Sequence, residues 1–335
     1  MKIILMMRVL QSIKLFVVVI FLASTTYSFA NDIPFKNNPK PCLNYKLGYY
    51  DFCDTCGCGS SGGSMGFGTG LNNNFFGLRY ISQEYRSRDG IFADSPWITE
   101  NFNTIQAWGN IPVSKRATIN VILPYQFHNR QFVDNTEQTI NGLGDISILG
   151  MYNLLKKTPD SIISIKPEHY IQLGGGVKMP TGKYDSSNNT GSVNPSFQLG
   201  NGSWDYILAI NYGFNYRNWG VSTLINYTIK TENPKKYHFG NQFNYGVNIF
   251  KSYYISDFSL TPIVGIAGEV YETNKEFNLE VANTKGDIFL GKVSLEASYN
   301  KYSLGILGML PISQNLNSGR VELKNRISVY LNVNL

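Results

Sequence analysis

In the last fifteen residues, VELKNRISVYLNVNL, Val321, Leu323, Ile327, Val329, Leu331, Val333 and Leu335 share one parity. Glu322, Lys324, Arg326, Ser328, Asn332 and Asn334 share the other, together with Tyr330. A period of two puts these sets on opposite faces of a β-strand. The run is far longer than the five or six residues usual in soluble sheets. The same alternation marks Trp204, Tyr206, Leu208, Ile210, Tyr212, Phe214 and Tyr216, and it resumes after Arg217-Asn218 with Trp219, Val221, Thr223, Ile225, Tyr227 and Ile229. It recurs from Ala117 to Phe127 and around Phe243, Tyr245, Val247 and Ile249. No sustained 3.6-residue period appears after the first thirty residues.

These runs predict about twelve strands between residues 75 and 335, and the connections between them fall into two alternating classes. Those at 112–116, 217–218, 252–257 and 300–301 are short, and 156–165 is somewhat longer. Those at 87–98, 129–143, 179–203, 231–240, 271–286 and 313–320 are long and polar. Long strands, an even count and alternating short and long connections describe an all-β fold, a transmembrane antiparallel up-and-down β-barrel. A sheet that spans lipid must close on itself, because no backbone polar group can face hydrocarbon unpaired. Trp204, Tyr216, Trp219, Tyr299 and Tyr302, near strand ends, are expected in the interfacial girdles. A soluble β-sandwich would need shorter strands and no such alternation of turns.

Composition agrees with a lipid-facing wall. Charged residues make up 16% of the chain, below the roughly 25% of ordinary soluble proteins. There are 22 Tyr, 20 Phe and 32 Gly. At the N-terminus, Lys2, Arg8 and Lys14 precede or flank the apolar run Leu15–Ala23, and Ser28 and Ala30 stand at −3 and −1 of a cleavage site. That is a secretory signal over residues 1–30, too short to span a bilayer. Removing its three basic residues lowers the net charge from +6 to +3. No basic block remains, which argues against nucleic acid as a partner. The expected organisation is a signal over 1–30, a Cys- and Gly-rich head over 31–74 and an outer-membrane barrel over 75–335. Outer-membrane lipid, a small-molecule solute and the barrel-assembly machinery are the expected partners.

Three ordered stretches carry a family signal: GLGDISILGMYNLL from Gly142, GGGVKMPTGKYD from Gly174, and NPSFQLGNGSWDYILAINYGFNYRNWG from Asn194. As turn chemistry, Gly142, Gly144 and Asp145 suit the entry to a strand. Pro180, Thr181 and Gly182 suit the end of one, since proline cannot donate to the ladder. Gly200 and Gly202 suit re-entry. Together, over roughly residues 75–335, the stretches resemble the outer-membrane transporters named for the meta-pathway of phenol degradation, distantly like long-chain fatty-acid channels. The resemblance implies an outer-membrane barrel that passes small, often hydrophobic, solutes. The chain departs from the common barrel pattern by ending in Leu335 rather than an aromatic residue.

Inward parity nominates Asp205, Asn211, Asn215, Glu322, Lys324 and Arg326 as lumen residues, with Arg79 and Lys178 as further candidates. Charges of both signs either cross-brace a lumen or form a selective constriction. Catalysis is not expected. The three histidines, His128, His169 and His238, have no serine two residues on, so the H-x-S pair of an outer-membrane phospholipase is missing. Cys42, Cys53, Cys56 and Cys58 follow the spacing C-x10-C-x2-C-x-C in the head. An exported segment with an even number of cysteines favours disulfides. Three thiols within six residues are crowded for separate bridges, which keeps a Cu(I) or zinc site as the alternative. Soft-metal handling by the head and a non-transporting structural or adhesive barrel are therefore the alternative functions.

Overall fold

The computed structural model describes residues 75–88, 94–155, 167–189 and 194–334. The signal over 1–30 and the head with Cys42, Cys53, Cys56 and Cys58 lie outside the described residues.

The wall opens with β1 (Phe75–Arg88), β2 (Trp97–Pro112) and β3 (Ala117–Gln131), followed by β4 (Glu137–Leu143), β5 (Ile146–Leu155) and β6 (Glu168–Met179). After a 3-10 turn at Ser186–Asn189 come β7 (Asp205–Tyr216), β8 (Trp219–Lys230) and the short β9 (Tyr237–His238). β10 (Gln242–Lys251), β11 (Tyr253–Ile255) and β12 (Phe258–Tyr271) follow, then β13 (Lys275–Glu276) and β14 (Leu279–Glu280). β15 (Gly286–Tyr299), β16 (Tyr302–Gln314) and β17 (Val321–Asn334) complete the wall. With β4 and β5 as two segments of one strand, neighbours pair antiparallel around a closed ring of twelve. β1 pairs with β17 through thirteen residue pairs, and β10 pairs with β12 to complete the circuit. The chain is a transmembrane antiparallel β-barrel.

Alternation in sequence becomes alternation of faces. On β7 the outward Tyr206, Leu208 and Ile210 are about half exposed, while the inward Asp205, Ile207, Ala209 and Asn211 are buried. Tyr216 and Trp219 flank the two-residue turn at 217–218, and Tyr299 and Tyr302 flank that at 300–301. All four rings are exposed at one rim, where an aromatic girdle belongs. Arg217 and Asn300 carry positive φ (53° and 50°), as tight hairpins of matching twist require. Short turns at this rim and longer connections at the other orient the barrel, with the turns periplasmic and the longer connections extracellular.

Two irregularities correct the expected pattern. The connection at 129–143 is not a long loop, because β3 runs on to Gln131 and turns through residues 132–136 into β4. β4 pairs with β3 only, so this hairpin projects from the extracellular rim. The ladder breaks opposite Pro124, which has no N–H to donate. There Gly144 N–H donates to the Pro124 carbonyl at 2.9 Å.

The second correction concerns β17. Its register against β1 passes from Glu84↔Asn325 to Tyr85↔Leu323, leaving Lys324 as the extra residue of a β-bulge. The bulge inverts the faces. Val321 and Leu323 point inward and are buried, whereas Glu322 and Lys324 stand half-buried on the outer wall, paired to each other at 2.7 Å. The strict parity that places Glu322 and Lys324 in the lumen therefore fails above Asn325. Arg326 keeps its inward place.

β16 and β17 also part company above the Met309↔Arg326 pair. The Gln314 side chain takes over the ladder there, accepting from Leu323 N–H at 2.8 Å and donating to the Leu323 carbonyl at 3.1 Å.

Inward side chains form two apolar clusters. One joins Phe75, Trp108, Ile122, Leu149, Ile207 and Leu224. The other, toward the extracellular side, joins Phe102, Ile288, Leu290, Leu307, Met309 and Leu323. Inward tyrosines lie over glycines on the neighbouring strand, Tyr170 over Gly213 and Tyr330 over Gly305, where any Cβ would overlap the ring. The aromatic face covers backbone that glycine leaves bare.

Candidate functional site

The family-like motifs, separate in sequence, meet at the extracellular ends of β5, β6 and β7. Lys178, last but one on β6, is buried between two carboxylates, 3.2 Å from Asp145 Oδ2 and 2.8 Å from Asp205 Oδ2. Asp145 also accepts Gly182 N–H at 2.9 Å and Asn201 N–H at 3.0 Å. Asn201 donates its side-chain amide to both oxygens of Asp205 at 2.8 Å, and the Ser203 hydroxyl donates to Asp205 at 3.2 Å. Each carboxylate thus meets a cation and several donors, the condition under which buried charge is tolerated.

The glycines let this knot close. Gly182 and Gly200 lie backbone to backbone, and a Cβ on either would overlap the other. Gly202 holds φ at 70°, a left-handed position. Gly142 approaches the Leu199 side chain, and Gly144 packs against Pro124 and Gln126. Pro180 follows the last residue of β6. The Thr181 hydroxyl donates to the Gly144 carbonyl at 2.7 Å and accepts Ile146 N–H at 2.9 Å, bridging the break between β4 and β5.

The chain after this corner folds into the barrel mouth. Phe197 and Gln198 are wholly buried. The Phe197 ring packs edge-on to Phe102 at 5.8 Å, and the Arg130 guanidinium lies 4.4 Å from its centre. Arg130 Nη1 stands 3.7 Å from Glu100, which also accepts the Asn194 side-chain amide. Arg130 further donates to Gln138 at 2.8 Å and to the Asn188 carbonyl at 3.1 Å. At the exposed end of the same loop, Asp185 accepts the Ser187 hydroxyl at 2.7 Å and lies 3.2 Å from Lys183. The Ser187 hydrogen bonds, with Lys183 beside them, hold the Asp185 carboxyl below the usual carboxylate range.

Deeper in the lumen, Arg326 reaches across β16 and β15 to Glu269 at 2.8 Å and donates to Gln83 at 2.9 Å. Tyr271 donates to the other Glu269 oxygen. Asn211 donates to Gln172 and Gln172 to Asn153, both at 2.9 Å, a polar ladder around one wall. Asn215 is buried at the periplasmic end of the same wall. Arg79 donates to Gln106 at 2.9 Å and stacks 4.7 Å from the Trp108 centroid. Glu296 accepts the Tyr330 hydroxyl at 2.6 Å. Above the second apolar cluster lies a cavity of about 50 Å³, walled by Tyr85, Phe102, Tyr271, Leu316 and Val321, with Lys230 at its edge.

The structure brings Asp205 together with the motif residues Asp145, Gly182 and Gly200, and Asn211 with the polar ladder. Glu100, Arg130, Phe197 and Glu269 are site residues that the sequence reading missed. Glu100 and Glu269 stand at inward parity, so the period could have found them. Nothing in the periodicity marks Phe197, because it lies on a loop.

The fold matches the crystal structure of the COG4313 outer membrane channel from Pseudomonas putida F1, with a TM-score of 0.55 and 13% identity, over 78% of this chain and 96% of that one. The β domain of the Bordetella autotransporter BrkA follows at TM-score 0.45 and 8% identity, over 79% of this chain and all of that one. No curated protein matches the chain. The family model for the MetA-pathway of phenol degradation matches residues 98–289, from β2 into β15 and across the buried Lys178 knot. On that match, covering more than half of its length, the chain belongs to this family.

Proposed function

We propose that this barrel is a channel for small, predominantly hydrophobic solutes. The observation that carries the reading is the inward-facing apolar track of Phe102, Ile288, Leu290, Leu307, Met309 and Leu323 beneath the extracellular cavity. A water-filled pore is lined by polar groups, so inward leucines and methionine favour a solute that gains by leaving water. The tether of the loop, through Phe197 to Phe102 and Arg130 and through Asn194 to Glu100, supports passage that depends on movement of the inward loop. The solved channel of similar fold is consistent with this role.

The test is uptake of radiolabelled toluene, with arabinose as hydrophilic control, by cells that express or lack the protein. Barrel-dependent toluene uptake that falls several-fold in Leu290→Asn/Met309→Asn supports the reading. Barrel-dependent arabinose uptake with no effect on toluene would sink it.

The spacing C-x10-C-x2-C-x-C supports a second reading, in which the head binds Cu(I) or zinc. Metal content of the protein purified from native outer membranes, with and without replacement of Cys53, Cys56 and Cys58 by serine, decides it. We further infer export by the N-terminal signal, checked by finding the mature N-terminus near Asn31.

A further inference from the structure

The outer wall carries a charge arrangement that passage through the lumen does not use. On β1 the inward Tyr85 and Ser87 are buried, so Arg86 and Arg88 face outward, half-buried. Both guanidiniums stack on one indole, with Arg86 at 5.0 Å and Arg88 at 4.2 Å from the centre of Trp97. Arg88 also donates to the Ser95 carbonyl at 2.6 Å, which fixes it further. Residues two apart on a strand face lie about 7 Å apart, so two like charges are held close together.

Among the described residues no carboxylate lies within ion-pair distance of either guanidinium. Glu322 is the register partner of Arg86, yet its carboxylate is 2.7 Å from Lys324. The bulge that turns Lys324 outward thus neutralises the acid that Arg86 would otherwise meet. Glu84, the one acid of β1, accepts the Asn325 side-chain amide at 3.1 Å. Arginine stacked on an aromatic face keeps its N–H edge available for an oxyanion.

The position selects the anion. Phe76, Leu78 and Tyr80 are exposed on the outer face of β1, and Arg86 and Arg88 lie beyond them toward the extracellular rim. The rise of a tilted strand from Phe76 to Arg86 is about the 25 Å height of the apolar band, which sets both arginines at the level of the outer-leaflet headgroups. We propose that Arg86, Trp97 and Arg88 form a binding site for a phosphate group of an outer-leaflet lipid.

The test reconstitutes the protein in zwitterionic vesicles containing bis-phosphorylated or dephosphorylated lipid A and counts retained lipid by native mass spectrometry. The wild type should retain the phosphorylated form and discard the other. Arg86→Gln/Arg88→Gln should lose tenfold or more of it, the effect of removing about two surface cations, and Trp97→Leu should lose part. Arg217→Gln, at the periplasmic turn, should match the wild type. Equal retention by the double variant, or equal retention of the two lipids, overturns the proposal. Displacement of lipid A by millimolar inorganic phosphate overturns it too, since the site would then serve soluble anions. If the double variant fails the heat-modifiability check for folding, the comparison of the two lipids on the wild type still decides.

Discussion

Lys178 holds apart two carboxylates that would otherwise face each other in a buried corner. Replacing it with methionine should destabilise the barrel by about 3–5 kcal/mol, the cost of leaving buried charge unpaired. Urea unfolding followed by tryptophan fluorescence in detergent micelles measures this. Adding Asp205→Asn should restore part of the loss, because the remaining carboxylate, Asp145, still accepts two backbone N–H groups. A Lys178→Met variant as stable as the wild type would show that the knot is solvated and loosely held. Gly200 admits no side chain for a different reason, the backbone of Gly182 being in the way. Gly200→Ala should therefore unfold at lower urea, whereas an alanine at Gly175, which has open space around the added carbon, should cost much less.

At the scale of elements, the bulge in β17 and the loop after β6 each make a prediction. In a background with the four native cysteines replaced, a cysteine at position 324 should react from outside with a water-soluble maleimide. One at position 326 should react far more slowly, because the bulge puts the two on opposite faces. Equal labelling would mean that the strict parity of the sequence holds after all. The loop depends on Asp185, whose carboxyl is held below its ordinary range by Ser187. The sign follows from that depression. The stabilisation is fully present above the unfolded carboxylate pKa and is lost as pH falls through the lower, folded value. Protease sensitivity of the 183–189 turn should therefore be flat near neutrality and rise in strong acid, and Asp185→Asn should abolish the pH dependence.

For the whole molecule, the inward loop carries a prediction about conductance. Phe197→Ala removes the ring clamped between Phe102 and Arg130, and it should raise single-channel conductance several-fold while leaving the wall intact. Unchanged conductance would place the limiting constriction lower, near Arg79, Trp108 and Tyr330, where a second aromatic group lines the inner wall across β1. Outside the wall, the two guanidiniums on Trp97 tie the molecule to its surrounding lipid through a surface that solute flux does not touch.

The period-two pattern by itself determined the barrel, its twelve strands, the alternation of short and long connections except at 129–143, and the inward place of Asp205, Asn211, Asn215 and Arg326. It could do so because lipid outside and polar groups inside impose opposite demands on successive residues of every strand. Periodicity carries no information where a strand breaks its own period or where a loop folds back. The bulge at Lys324 sent Glu322 and Lys324 to the outer wall, since one extra residue reverses every face beyond it. The motif glycines and Asp145 read as separate turns along the chain. Only tertiary structure revealed that they close around Lys178, and that Phe197 reaches Phe102 and Arg130, because strands distant in sequence meet only once the sheet has closed.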